Sequence, residues 1–137
     1  MSYLAGDPLP VDDFYWQNYT MTMSSTGTAM SIGNSTVVSR YLRLGQLVIV
    51  KVNVTIGTTF TAGTGVYLFS LPFAPVDVPI GSGYLFDTGT ALYSVSVAQA
   101  GSQVVQLVYQ NNQVGSGTPF TPTSGDEFNF VAVCAVA

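Results

Sequence analysis

Along most of the chain, apolar and polar side chains alternate with a period of two. Val48, Val50, Val52, Val54 and Ile56 fall on one face, and Lys51, Asn53 and Thr55 on the other. Successive side chains of an extended strand point to opposite faces, so this pattern predicts a half-buried β-strand. Val37 to Leu44 predicts another, separated from the first by Gly45. Val66 to Leu71 is apolar on both faces and stops at Pro72, as expected of a central strand. Ala91, Tyr93, Val95 and Val97 alternate with Ser94 and Ser96, and Val105, Leu107 and Tyr109 alternate with Gln106. Phe128 to Val136 predicts a continuous apolar closing strand. Shorter candidates lie at Tyr19 to Met23, Thr28 to Ile32 and Gly83 to Phe86.

The sum is about eight or nine strands, with punctuation such as Gly63-Thr64-Gly65, Gly81-Ser82-Gly83 and Gly115-Ser116-Gly117 between them. No amphipathic helix competes. Many short strands divided by turn signals predict an all-β fold, a sandwich or barrel, and eight strands favour a jelly-roll-like antiparallel β-sandwich. The first 18 residues break the pattern. Residues 1–13 hold three of the seven acids together with Pro8 and Pro10, and Phe14, Tyr15 and Trp16 follow at once. Two prolines preclude a regular helix or central strand there. The expectation is an extended N-terminal arm over 1–18, anchored by Leu4, Leu9, Phe14, Tyr15 and Trp16, ahead of a β-sandwich domain over 19–137.

Composition sharpens the picture. Of the 137 residues 47% are hydrophobic and only 7% charged, against a usual charged share of about 25%. That balance is the opposite of what disorder requires. It also leaves a Ser, Thr, Gly, Asn and Gln surface with little like-charge repulsion, which favours a subunit that lives in an assembly. Arg40, Arg43 and Lys51 are the only cations in a chain of net charge −4. The basic surface that nucleic acid or an anionic membrane would need is absent. Cys134 is the single cysteine, sits in an apolar run, and is expected to be a buried small hydrophobe. With no signal-peptide pattern and no run of about 18 apolar residues, the expectation is a soluble chain made in a cytoplasm.

The residue types that carry chemistry are sparse. There is no His, which removes the commonest general base and metal ligand. One Cys cannot build a zinc site. Gly63-Thr64-Gly65 lacks the Lys and helix of a phosphate-binding loop. Asp77, Asp87, Asp126 and Glu127 could supply a carboxylate pair only across strands, and turn roles suit them better. The expectation is no enzyme, no catalytic residue, no metal and no cofactor. The aromatics, 12% of the chain, are read as core and interface.

Several segments, in order, resemble those of a known group. Tyr41-Leu42-Arg43-Leu44-Gly45-Gln46-Leu47-Val48-Ile49-Val50 resembles a Tyr-x-Arg-x-Gly-x-x-Val-x-Val hairpin of small virion domains in tailed bacteriophages. Tyr67 to Phe73 is similar to their Ser-Leu-Pro strand end, and Pro119-Phe120-Thr121 with Gly125-Asp126 to their closing segment. Leu4-Ala5-Gly6-Asp7-Pro8-Leu9 is similar to the start of phage fibre and head-decoration proteins. The resemblance implies a jelly-roll β-sandwich assembling as a homotrimer on the virion. Its partners would be further copies of itself and the major capsid protein or, alternatively, tail proteins. The short arm favours a capsid decoration (minor capsid) protein that stabilises the shell. The alternative is a minor tail or tail-fibre tip protein that binds a receptor or carbohydrate through loops such as 57–65 or 110–117.

Overall fold

The computed structural model describes residues 15–137. Its ten strands are β1 (Gln17–Asn18), β2 (Met23–Ser25), β3 (Thr36–Leu44), β4 (Leu47–Thr55), β5 (Tyr67–Ser70), β6 (Ile80–Asp87), β7 (Ala91–Gly101), β8 (Val104–Tyr109), β9 (Asn112–Gln113) and β10 (Glu127–Ala135). No helix forms among the described residues. All pairings are antiparallel, in the order β1-β3-β4-β10-β6-β7-β8-β5-β2, with β9 hydrogen-bonded to β8.

The two ends of that order belong to one stretch of chain. Gln17 and Asn18 pair with β3, and a few residues later Met23–Ser25 pair with β5. The segment between them is tied to both sides. Ser39 Oγ donates to the Tyr19 carbonyl at 2.5 Å, while the Tyr19 hydroxyl donates to the Ser70 carbonyl at 3.0 Å. Thr22 N–H donates to Ser70 Oγ at 2.7 Å. The sheet therefore curls until its ends are stitched together. Aromatic contacts report the same curl: Phe69 of β5 meets Phe130 of β10 at 5.2 Å between ring centroids, although three strands separate them in the sheet.

The core is what the alternation requires. Val48, Val50, Val52 and Val54 of β4 and Phe128, Phe130, Ala132 and Cys134 of β10 are all buried. They pack against Tyr67, Phe69, Leu85, Val105 and Leu107 from the other strands. Edge-on and tilted ring contacts link Tyr67, Phe69, Phe120 and Phe128 into one cluster, the arrangement that ring quadrupoles favour.

Three expectations change. Of Tyr19 to Met23 only Met23 is in a strand, opening β2; Tyr19 to Thr22 is the stitch between β1 and β2, because its hydrogen bonds go to two different strands. Thr28 to Ile32 forms only an isolated bridge, Ser31 with Thr61, since its loop is held by side chains rather than by a ladder. The strand at Val66 to Leu71 is β5, paired on both sides by β8 and β2 but next to the end of the order, and β6 occupies the middle.

Candidate functional site

In strands β3, β4, β10 and β6, the residues facing away from the core stand in register. Leu44, Leu47 and Ala135 make one cross-strand row; Leu42, Ile49, Val133 and Ile80 make the next. Arg40, Lys51, Val131 and Ser82 form a third, and Val38, Asn53, Asn129 and Tyr84 a fourth. Two rows are wholly apolar and contiguous with the exposed side chains Val76, Val78 and Ile80, the last 67% exposed. A Val, Ile or Leu in the second half of a strand period normally gives way to polar residues on a solvated face. Here it does not, and among the described residues nothing covers the outer face of β4 and β10.

The third and fourth rows floor a groove of about 560 Å³, with Val38 and Arg40 on one bank and Tyr84 on the other. Beneath it, β6 lies close against β10 at Gly81 and Gly83, which stand opposite the buried Ala132 and Phe130. A Cβ on Gly83 would run into the Asn129 carbonyl oxygen, and one on Gly81 into that of Val131. Only glycine lets β6 come this close to β10. Two of the chain's three cations, Arg40 and Lys51, face one another directly and are both exposed. Like charges in that position destabilise an isolated sheet. Deeper in the groove, Asn53 Nδ2 donates to Asn129 Oδ1 and, at 3.2 Å, to Glu127 Oε1, while Asn129 Nδ2 is buried without a partner.

The sequence-based anchors fare as follows. Leu4, Leu9 and Phe14 lie outside the described residues. Tyr15 and Trp16 are exposed, at 59% and 46%, immediately before β1. The third cation, Arg43, is committed elsewhere: its Nε and Nη2 donate to the carbonyls of Gly45 and Ala137, and its guanidinium lies 4.8 Å from the centre of the Phe73 ring.

Two of the described carboxylates hold backbone in place. Asp126 is buried and accepts from the Thr88 and Thr123 N–H groups at 2.9 and 2.8 Å, a loop-closing role. Asp77 accepts from Ala135 N–H at 3.1 Å. Among the described residues no group of three or more His, Cys, Asp or Glu could hold a metal ion. Burial pushes the Cys134 thiol up, away from the thiolate that reactivity needs. Loop 57–65 is packed down on its neighbour: Asn34 Oδ1 accepts from Thr59 N–H and Thr59 Oγ1 from Asn34 N–H, at 2.9 and 2.8 Å. Loop 110–117 begins as a tight hairpin turn with Gln110 and Asn111 both at positive φ.

Strand periodicity alone could have revealed the uncovered face, since residues 47–51 and 131–135 are apolar at odd as well as even positions except Lys51. That the two stretches pair, and that Arg40 stands opposite Lys51, needed the register. No protein-family model, curated protein or solved structure matches the chain.

Proposed function

We propose that this chain is a non-enzymatic structural subunit of a tailed-phage particle, a jelly-roll-type sandwich that assembles as a homotrimer and decorates the capsid. The observation that carries the reading is the exposed apolar face on β3, β4, β10 and β6, in a chain that has only 7% charged residues. Exposed apolar area of this kind, contiguous and polar-rimmed, marks a protein–protein contact. Bridging neighbouring shell subunits adds buried area that exists only in the assembled particle, and so stabilises it by mass action. The segment resemblance supplies the kind of particle.

A second reading, a tail-tip subunit that holds a carbohydrate, is favoured by one feature. A shallow hollow between Tyr19, Tyr41, Phe73 and the polar Asn18, Thr20 and Gln103 combines aromatic rings with amide and hydroxyl groups, the chemistry that stacks and hydrogen-bonds a sugar.

Gold-labelled antibody on intact particles of the encoding phage tests both. Label spread over the head is the expected result. Label confined to the tail would replace the first reading with the second, and unlabelled particles would remove both.

A further inference from the structure

Among the described residues nothing covers the groove and its apolar flank, and the chain carries a segment of matching chemistry. Residues 1–14 contain Asp7, Asp12 and Asp13, three of the seven acids, interspersed with Leu4, Leu9, Val11 and Phe14. The groove presents Arg40 and Lys51, two of the three cations, beside the rows of Leu42, Ile49 and Val133. We propose that residues 1–14 of one copy dock along the outer face of a neighbouring copy, acids against Arg40 and Lys51 and apolar side chains on the adjoining rows. The proposal rests on the reading of the chain as a self-assembling subunit, and on nothing about where the assembly sits.

Three observations select this occupant. A face-to-face pairing of two copies would be isologous, and about an axis through the cationic row it would set Arg40 and Lys51 against their own counterparts, which repulsion opposes; Glu127, the carboxylate on the same face, is engaged by Asn53. A segment-to-groove contact is heterologous, so it can close into a ring. The pair of like charges then has a purpose: unfavourable in the isolated sheet, it is neutralised when the acids arrive. The point of departure also fits. Gln17 pairs with Tyr41 and Asn18 with Arg40, so the chain traced backwards from β1 heads toward Leu44 and the β3–β4 turn. Tyr15 and Trp16 are exposed there, immediately before β1. Fourteen residues can reach about 45 Å when extended, whereas the four strands of the face span roughly 15 Å.

Charge reversal of the full chain tests it. One variant carries Asp7→Lys, Asp12→Lys and Asp13→Lys; the other carries Arg40→Glu and Lys51→Glu. Circular dichroism first confirms that each is folded, and sedimentation then measures association. Each variant alone should dissociate on the order of tenfold more readily than the parent, and an equimolar mixture should restore association between unlike variants, in part only for a ring of three, where one contact between like variants remains. Should a reversed variant fail to fold, the milder Arg40→Gln with Lys51→Gln and Asp→Asn versions are read by the loss of association alone, with parent-like assembly of both again overturning the proposal. Parent-like assembly of both variants would overturn the proposal while leaving self-assembly standing. Recovery only when both reversals share one chain would also overturn it, because the segment would then sit on its own groove. A parent chain that stays monomeric at every concentration would remove the self-assembly reading itself.

Discussion

A methyl group on Gly83 would meet the Asn129 carbonyl, so Gly83→Ala forces β6 and β10 apart in the middle of the sheet. The expected cost is about 2 kcal/mol or more, read as a lowered urea midpoint with an unchanged slope. Tyr67 offers a different test at the same scale. It is fully buried, its hydroxyl donates to the Ala62 carbonyl at 2.8 Å, and desolvation pushes its pKa up to about 12. In the unfolded chain the same phenol ionises near 10. Between those values the unfolded state gives up its proton first, so the stabilisation is complete below pH 10 and is lost as pH rises toward 12. The slope of stability against pH should therefore turn negative from about pH 10, and Tyr67→Phe should reduce that slope. Tyr19, also raised by burial, contributes in the same direction. These costs were not legible in the sequence, where Gly83 and Tyr67 read as a turn residue and a strand former.

The stitch Tyr19 to Thr22 decides whether the sheet stays curled. It joins β3 to β5 through Tyr19, Ser39 and Ser70, strands that no direct ladder connects. Tyr19→Phe removes one hydrogen bond and should cost about 1 kcal/mol. Tyr19→Ala also removes a ring packed edge-on against Tyr41 and should cost about 3 kcal/mol or more, measured by thermal or urea unfolding. Hydrogen exchange should then show the β2 and β5 amides losing protection before those of β4 and β10. Strands β3, β4, β7, β8 and β10 were legible because long alternating or apolar runs leave one solution. The stitch was not: a short segment with apolar Met21 and Met23 reads as a strand, and only the distant Ser39 and Ser70 show that it serves two.

For the whole molecule, the proposed assembly puts association on the apolar outer face of a weakly charged chain. Val78→Lys with Ile80→Lys places two cations on side chains that are already exposed, at 62% and 67%. Stability should change by less than about 0.5 kcal/mol, as for other surface substitutions. Self-association and binding to particles should both weaken, seen by light scattering and by co-sedimentation. Unchanged association would place the contact on another face. The uncovered face was half legible: apolar residues at consecutive positions of β4 and β10 gave notice of a second apolar face. Nothing in a linear sequence says which strands lie side by side.

Period-two alternation, scarce charge and the absence of His were enough to determine an all-β chain with one core and few groups for catalysis. They suffice because side-chain direction in a strand is a local property, set by the backbone of two or three residues. Register, curl and the position of each strand in the sheet were decided only by the tertiary structure. Those depend on pairings between residues far apart in sequence, such as Arg40 with Lys51, Asn53 with Asn129 and Gly83 with Phe130. The groove exists only where those pairings meet, so its chemistry emerges from residues that, read singly along the chain, look like ordinary strand and turn.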